Sequence, residues 1–201
     1  ATTTVLSLGL WLLLSACPLM SNRFSGDFDT ILVAEGDELS EEDLGEGVFW
    51  GTLGTEDVSI GVDSEVSFAF SILVTEDDAG NPIDPLYQTV IIDEERFVLI
   101  QTDGEAISAN TTIVLAPGSS NIVVLFELAV NPDNPTQITA TPVAYSQSGT
   151  VSYRTAGSKV GDTVSANFEG VLKEIGYSAR SLPRPVAELA LPAMLGPITL
   201  R

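Results

Sequence analysis

Oxygen-bearing side chains cluster in one short polar stretch of the chain, TEDDAGNPIDP. Carboxylate and amide oxygens are the ligands that calcium prefers in proteins, so the stretch is a candidate calcium site. Asp, Asn, Gly and Pro are also the usual residues of ordinary β turns, and their irregular spacing fits a plain turn equally well. The four candidate ligands are Asp77, Asp78, Asn81 and Asp84.

Histidine is absent from the chain, and its absence excludes the commonest catalytic arrangements. Ser-His-Asp and Cys-His nucleophile systems and two-histidine metal centres all need an imidazole. Two acidic runs, 76–78 and 93–95, lie in predicted turns, where carboxylates are normally hydrated rather than held as a buried acid-base pair. The pair Ser158-Lys159 lies in a glycine-rich turn, and no phosphate-binding or dinucleotide-binding loop occurs. The sequence therefore predicts a non-catalytic protein without a cofactor, calcium excepted.

The charge of the chain is strongly negative, with 28 Asp and Glu against 8 Lys and Arg and a formal net charge of −20. Nucleic acid is thereby excluded as a partner, because affinity for phosphates depends on clustered cations. Between Asp27 and Glu105 the only cation is Arg96, whereas the residues after Val151 are nearly balanced. This asymmetry is compatible with steering a basic partner and equally with solubility alone.

The single cysteine, Cys17, lies near the end of the apolar run VLSLGLWLLLSACPLM, which covers residues 5–20. As a helix this run reaches roughly 24 Å, less than the hydrocarbon core of a bilayer. Within the run, Leu14-Ser15-Ala16-Cys17 resemble the lipobox of bacterial lipoproteins. The resemblance covers only the start of the chain and implies that Cys17 is lipidated after removal of residues 1–16. A retained N-terminal membrane helix is the alternative, since residues 1–22 reach about 33 Å.

The elements that must position these residues are predicted to be β strands. Residues 17–46 are polar and acidic and are predicted to form an extended tether. Residues 47–177 show period-two alternation with turn residues at regular intervals, which favours an all-β fold, an antiparallel β-sandwich. The alternation is clearest in 65–75. The other predicted strands are 48–53, 58–62, 88–92, 96–102, 112–116, 122–130, 137–145, 150–155 and 163–173.

The C-terminal segment, 178–201, has a different composition, with four prolines and leucine-rich apolar pieces. Proline at these positions prevents a long helix. Such a segment needs an apolar surface to cover. Three such surfaces are possible: its own sandwich, a protein partner or membrane, and the sheet of a neighbouring copy, to which the segment would add a strand. The candidate partner-binding residues are Val186, Leu189, Leu191, Met194 and Leu195.

Together these features predict a membrane-anchored protein of the bacterial periplasm or cell surface. Its expected role is a non-catalytic binding or accessory structural subunit of a larger envelope assembly. Two alternatives stay open: a fibre subunit that assembles by strand donation, and a carboxylate-dependent enzyme acting on polysaccharide. An exposed Trp beside a close carboxylate pair would favour the enzyme. Trp50, Tyr145 and Tyr153 are candidates for a recognition face, although single aromatic residues in strands usually belong to the core.

Overall fold

The structure is a computed structural model that describes residues 22–34, 39–40, 43–62, 67–77, 79–132 and 134–176. These residues form ten β strands and one 3₁₀ turn at Gly104–Ala106. The prediction of an all-β, antiparallel sandwich is confirmed. The strands are β1 (Arg23–Val33), β2 (Glu46–Leu53), β3 (Glu56–Ile60), β4 (Phe68–Glu76), β5 (Pro82–Ile92), β6 (Arg96–Asp103), β7 (Thr112–Leu115), β8 (Ile122–Asn131), β9 (Asn134–Thr155) and β10 (Thr163–Glu174).

The strands belong to one hydrogen-bonded sheet that folds over on itself into two layers. The first layer has the order β3-β2-β1-β10-β9, with β7 paired to the end of β9. The second layer has the order β4-β5-β6-β8 and continues into the first half of β9. All pairings are antiparallel except a short one that joins β1 to β4 at Leu32 and Val33. The layers are therefore connected on both sides, through β9 and through β1.

Strand β1 lies at the centre of the first layer, between β2 and β10. Phe24, Phe28 and Leu32 point into the core, while Asp27 and Asp29 alternate with them on the outer side. The expectation of an extended tether over 17–46 is therefore wrong for this stretch. Its acidic residues are one face of a strand, because an outer face of a sheet can carry charge in water at little cost.

Strand β9 is longer than its sequence predicts. A turn is expected at 146–149, between two strands, but the strand runs through it without interruption. Ser146 is buried, and its hydroxyl accepts a hydrogen bond from the backbone N–H of Val123 at 3.0 Å. Gly149 has φ of +153° and lies close to β10, so the strand can bend here. The first half of β9 pairs with β8 and the second with β10 and β7.

The core between the layers is built from side chains of all ten strands. Its centre holds Phe24, Phe28, Phe49 and Phe168, which form four ring pairs with centroids 6.1–6.4 Å apart. At this separation, aromatic pairs stabilise beyond the area they bury. The rings come from β1, β2 and β10, so the contact joins the first two strands to a strand that is distant in sequence.

Buried hydroxyl groups connect four strands inside this core. The Thr30 hydroxyl donates to the backbone oxygen of Val164 at 3.1 Å, so it accepts from Ser71 at 2.7 Å. Ser71 in turn accepts from Thr89 at 2.7 Å. Each hydroxyl is thus satisfied, as burial of a polar group requires. The chain links β1, β4, β5 and β10.

A second apolar cluster lies on the outer side of the second layer, away from the core. The alternation in β4 predicts a strand with one buried face, and Phe68, Phe70, Ile72 and Val74 do share a face. The opposite face is buried as well, because Ala69 and its neighbours line the core. Strand β4 is therefore buried on both sides. The sequence predicts that its aromatic residues share one face, but it does not predict that the opposite face is also buried.

Candidate functional site

A groove of about 930 Å³ crosses the outer face of the first layer. It lies over five neighbouring strands, from β3 through β2, β1 and β10 to β9. This volume is in the range of small-molecule sites in proteins. The lining residues are Arg23, Phe24, Ser25, Trp50, Gly51, Thr52, Asp57, Val58, Ser59, Gly149, Thr150, Glu169, Gly170 and Val171.

Trp50 is the one large aromatic side chain in the groove that faces solvent, with 46% of its surface exposed. Strand register places it between Ser59 on β3 and Ser25 on β1. The same row continues to Glu169 on β10 and Thr150 on β9. Five strands at 4.7–4.9 Å spacing make this row roughly 19 Å long. The groove thus offers an indole near one end of a row of polar side chains.

A second row, one pleat away, adds charged groups to the same face. Asp57 pairs with Thr52, and Arg23 pairs with Val171. Within the described ranges, neither the indole N–H of Trp50 nor the side chains of Arg23, Asp57 and Glu169 make a hydrogen bond or ion pair to other residues. These donors and acceptors are therefore available to a ligand.

Gly170 and its partner Gly149 give the groove its floor on the side of β9 and β10. A Cβ atom on Gly170 would collide with the backbone oxygen of Ser148 and lie 2.8 Å from the ring of Phe24. The strands approach one another too closely for any side chain. Glycine in a strand commonly marks this kind of close approach.

The two carboxylates of the groove are too far apart to act as a glycosidase pair. Asp57 on β3 and Glu169 on β10 are separated by three strand spacings, or about 14 Å. Retaining enzymes place their two carboxyl groups about 5 Å apart and inverting enzymes about 6.5–9.5 Å apart. The arrangement can position hydroxyl or amide groups of a ligand, but it cannot place both carboxylates on one scissile bond.

The predicted calcium ligands are only partly brought together. Asp77 accepts hydrogen bonds from the backbone N–H of Ala79 at 3.0 Å and of Asn81 at 2.8 Å, and from the Asn81 amide. These bonds lower the pKa of Asp77, the side-chain bond from Asn81 most of all. Asp84 is exposed in β5, and Asp78 lies outside the described residues. In the part of the chain described, no group of three His, Cys, Asp or Glu side chains could hold a metal. Calcium stays a prediction.

The second acidic run, 93–95, and the Ser158-Lys159 pair belong to hydrogen-bonded turns. Asp93 accepts from the backbone N–H groups of Glu95 and Arg96 at 2.9 and 2.8 Å. The backbone N–H groups of Ser158 and Lys159 donate to Asp162 at 2.8 and 3.0 Å, and these bonds lower the pKa of Asp162.

The three aromatic residues proposed for a recognition face do not come together. Tyr145 and Tyr153 are buried, each in a different apolar cluster. Only Trp50 is exposed. Its position next to the buried Phe49, in a strand of alternating pattern, is the sequence signal that it points outward. The groove itself depends on which strands are neighbours, and no local pattern reveals that.

Cys17 and the five apolar residues of the C-terminal segment lie outside the described residues, so their roles stay predictions. Across the described ranges, none of the helical structure is long and apolar enough to cross a membrane. Comparisons with protein-family models, curated proteins and solved structures found no match.

Proposed function

We propose that this protein is a non-catalytic, extracytoplasmic binding domain that is held at a membrane by its N-terminus and binds neutral glycan chains through the Trp50 groove. The observation that carries the proposal is the exposed indole of Trp50, set in an open groove beside the side chains of Arg23, Asp57 and Glu169, which make no hydrogen bond or ion pair within the described ranges. A single exposed aromatic is common on protein surfaces. The combination with a groove and a row of unpaired polar groups is what supports a binding site.

The chemistry of the groove fits a sugar ring. The face of an indole carries partial negative charge, and the C–H groups on one face of a pyranose carry partial positive charge, so the two surfaces attract and exclude water. The hydroxyl groups at the ring edge need donors and acceptors. Ser25, Ser59 and Glu169 lie within one or two strand spacings of Trp50 and supply them.

The length and charge of the groove indicate the kind of glycan. A row of roughly 19 Å, open at the surface, suits several consecutive rings of a chain rather than one enclosed monosaccharide. Asp57 and Glu169 outnumber Arg23 in the groove, and the whole chain carries a net charge of −20. Acidic polysaccharides would therefore be repelled, so neutral chains are favoured.

The alternatives expected from the sequence receive less support. An enzyme with two cooperating carboxylates is disfavoured by the separation of Asp57 and Glu169. A fibre subunit that accepts a donated strand needs a gap in its sheet, but among the described strands the two layers are connected on both sides, and the free edges belong to the short strands β3 and β7.

The proposal of a membrane anchor rests on the resemblance of Leu14–Cys17 to a lipobox. Strand β1 begins at Arg23, so a lipid on Cys17 would hold the first layer of the domain close to the membrane surface. Several acyl chains on one residue would anchor the domain firmly, because each buried CH₂ contributes about 0.8 kcal/mol and a single chain holds only marginally.

Affinity electrophoresis tests the binding proposal. The full chain is run in native gels that contain soluble xylan, mannan, mixed-linkage β-glucan or starch, and we expect at least one of these neutral polymers to retard it. Trp50→Ala should abolish the retardation, and Trp50→Phe should retain part of it.

The matched control is Val114→Ala, which removes an apolar side chain that is 64% exposed on β7, outside the groove. It should migrate as the unchanged protein does. If every polymer fails to retard the protein, or if Trp50→Ala is retarded as strongly as the unchanged chain, glycan binding in the groove is wrong. Binding of an extended peptide in place of the polymers would contradict the ligand class.

A further inference from the structure

The outer side of the second layer is a continuous apolar face. Outward-pointing side chains form rows across β4, β5, β6 and β8, and one of these rows continues into β9. One row ends in Phe97 and Phe126, whose rings stack with centroids 4.4 Å apart. The rows contain Phe68, Ile92, Phe97 and Phe126, then Phe70, Val90, Leu99, Val124 and Tyr145, and then Ile72, Gln88, Gln101 and Ile122.

These side chains are buried although no described strand packs over them. Phe97, Leu99 and Phe126 are 0–1% exposed. Strands β2 and β3 of the first layer contact β4, β5 and β6, and their buried side chains belong to the core cluster rather than to this outer one. Among the described residues outside the strands, only Leu39, Leu44 and Ile175 pack against the cluster. Three side chains cannot cover a face four to five strands wide, so the described residues alone do not account for this burial.

The chain leaves β10 directly at this face. Ile175 follows the last residue of β10, packs against the apolar cluster and donates its backbone N–H to the oxygen of Val143 on β9 at 2.8 Å. The first described residue, Asn22, lies beside the end of the same strand: its backbone oxygen accepts from the N–H of Leu172 at 2.6 Å, and its side chain accepts from the backbone N–H of Gly54. Of the described residues next to the two termini, Ile175 is the one that packs against the apolar cluster, so residues 177–201 start beside that face.

We propose that residues 177–201 pack across this apolar face as an intramolecular cover. If extended, this segment would reach roughly 80 Å, whereas crossing from β9 to β4 needs only about 19 Å. The length therefore allows a path with turns, as its four prolines require. The leucines and valine predicted to bind a partner would then bind the protein's own sheet.

Charge favours this segment over residues 1–21, which carry no charged side chain, and over residues 35–42. It carries Arg180, Arg184 and Arg201 against Glu188, so it is cationic and complements a strongly acidic protein. The stretch 35–42, of which Leu39 packs against the cluster, includes five acidic residues. Burying those carboxylates against Phe and Leu would cost far more than burying leucines.

Photo-crosslinking in the full chain tests the cover. A benzoyl-phenylalanine at position 189 is irradiated in the purified protein, and the crosslinked peptides are identified by mass spectrometry. We expect crosslinks within one chain to the outward-facing residues of β4, β5, β6 or β8. Crosslinks between two chains, crosslinks to the first layer, or an absence of crosslinks to the second layer would overturn the proposal.

A dye-binding measurement provides an independent check. Leu189→Asp and Leu195→Asp should each loosen the cover and raise the fluorescence of the apolar-surface dye ANS several-fold in the otherwise folded chain. Ser181→Asp adds the same charge in the same segment without removing an apolar side chain, and should leave the fluorescence unchanged. Unchanged ANS fluorescence in both leucine variants would contradict the cover. The result does not depend on whether the Trp50 groove binds a glycan.

Discussion

Removing one buried hydroxyl group, through Tyr153→Phe, tests how the two layers are held together. Tyr153 lies on β9 with 2% of its surface exposed, and its hydroxyl is 2.7 Å from that of Thr102 on β6. The ring also packs edge-on against Phe28 and Tyr87 at about 6 Å. The variant keeps the ring and these contacts, so the loss is confined to the hydrogen bond.

The expected cost is set by the partner left behind. Thr102 is fully buried, and its hydroxyl has no other hydrogen bond within the described residues. Leaving such a group without a partner costs about 1–3 kcal/mol. We therefore expect the free energy of unfolding at pH 7 to fall by about 2 kcal/mol, measured by urea unfolding followed by circular dichroism. Tyr87→Phe is the matched control, because the Tyr87 hydroxyl makes no hydrogen bond within the described residues. This variant should change the free energy of unfolding only slightly.

The same variant has a signature at alkaline pH. Burial raises the pKa of Tyr153 well above its usual value, so the phenol stays protonated in the folded protein. In the unfolded chain it ionises near pH 10. Above that pH the unfolded state binds fewer protons than the folded state, so stability falls as pH rises, by about 1.4 kcal/mol per pH unit for one group.

Tyr153→Phe lacks this ionisation, so the stability difference between the variant and the unchanged protein should narrow between pH 10 and 11.5. A variant as stable as the parent at pH 7, or a difference that widens with rising pH, would refute the reasoning about this hydrogen bond.

Three further predictions concern the groove floor, one turn and the anchor. Gly170→Ala should destabilise the fold by about 1–3 kcal/mol, seen as a lower midpoint of thermal unfolding, because its Cβ would collide with β9; Gly176→Ala, where nothing lies within 4 Å, is the control. Asp162→Asn should lower the midpoint at pH 7, and the difference from the unchanged protein should shrink as pH falls below the usual Asp pKa. The folded pKa of Asp162 is lowered by hydrogen bonds from Ser158 and Lys159, so its contribution is fully present above the usual Asp pKa and is lost as pH falls through the lowered folded pKa. Intact-mass analysis of membrane-extracted protein should show a chain that begins at an acylated Cys17, and an unmodified chain from Ala1 would contradict the lipoprotein prediction.

The strands of this fold could be predicted from sequence where one face is apolar and the other polar. Strand β1 was not predicted, because its acidic residues indicate a solvated segment and because Gly26 and Thr30 interrupt the apolar side of the alternating pattern. Charge composition indicated a solvated tether, but tertiary position decides whether Asp27 and Asp29 are hydrated in a loop or on the outside of a sheet. Strand pairing therefore overrode local composition here.

The candidate site could not be predicted, because it depends on contacts between distant parts of the chain. Ser25, Trp50 and Glu169 lie on β1, β2 and β10, and only the strand order makes them neighbours. Composition indicated that exposed carboxylates would be plentiful, but their separation across the sheet follows from the register. By contrast, the apolar character of the C-terminal segment already suggested that some surface has to be covered.

The most direct test of the central claim uses the fluorescence of Trp50 itself. In a full chain that carries Trp11→Phe, Trp50 is the only tryptophan. Addition of the neutral polymer that retards the protein should shift its emission to shorter wavelength and protect it from acrylamide quenching, with saturation as the groove fills. Emission and quenching that do not change at polymer concentrations that retard the protein would show that the glycan binds elsewhere and that the Trp50 groove is not its site.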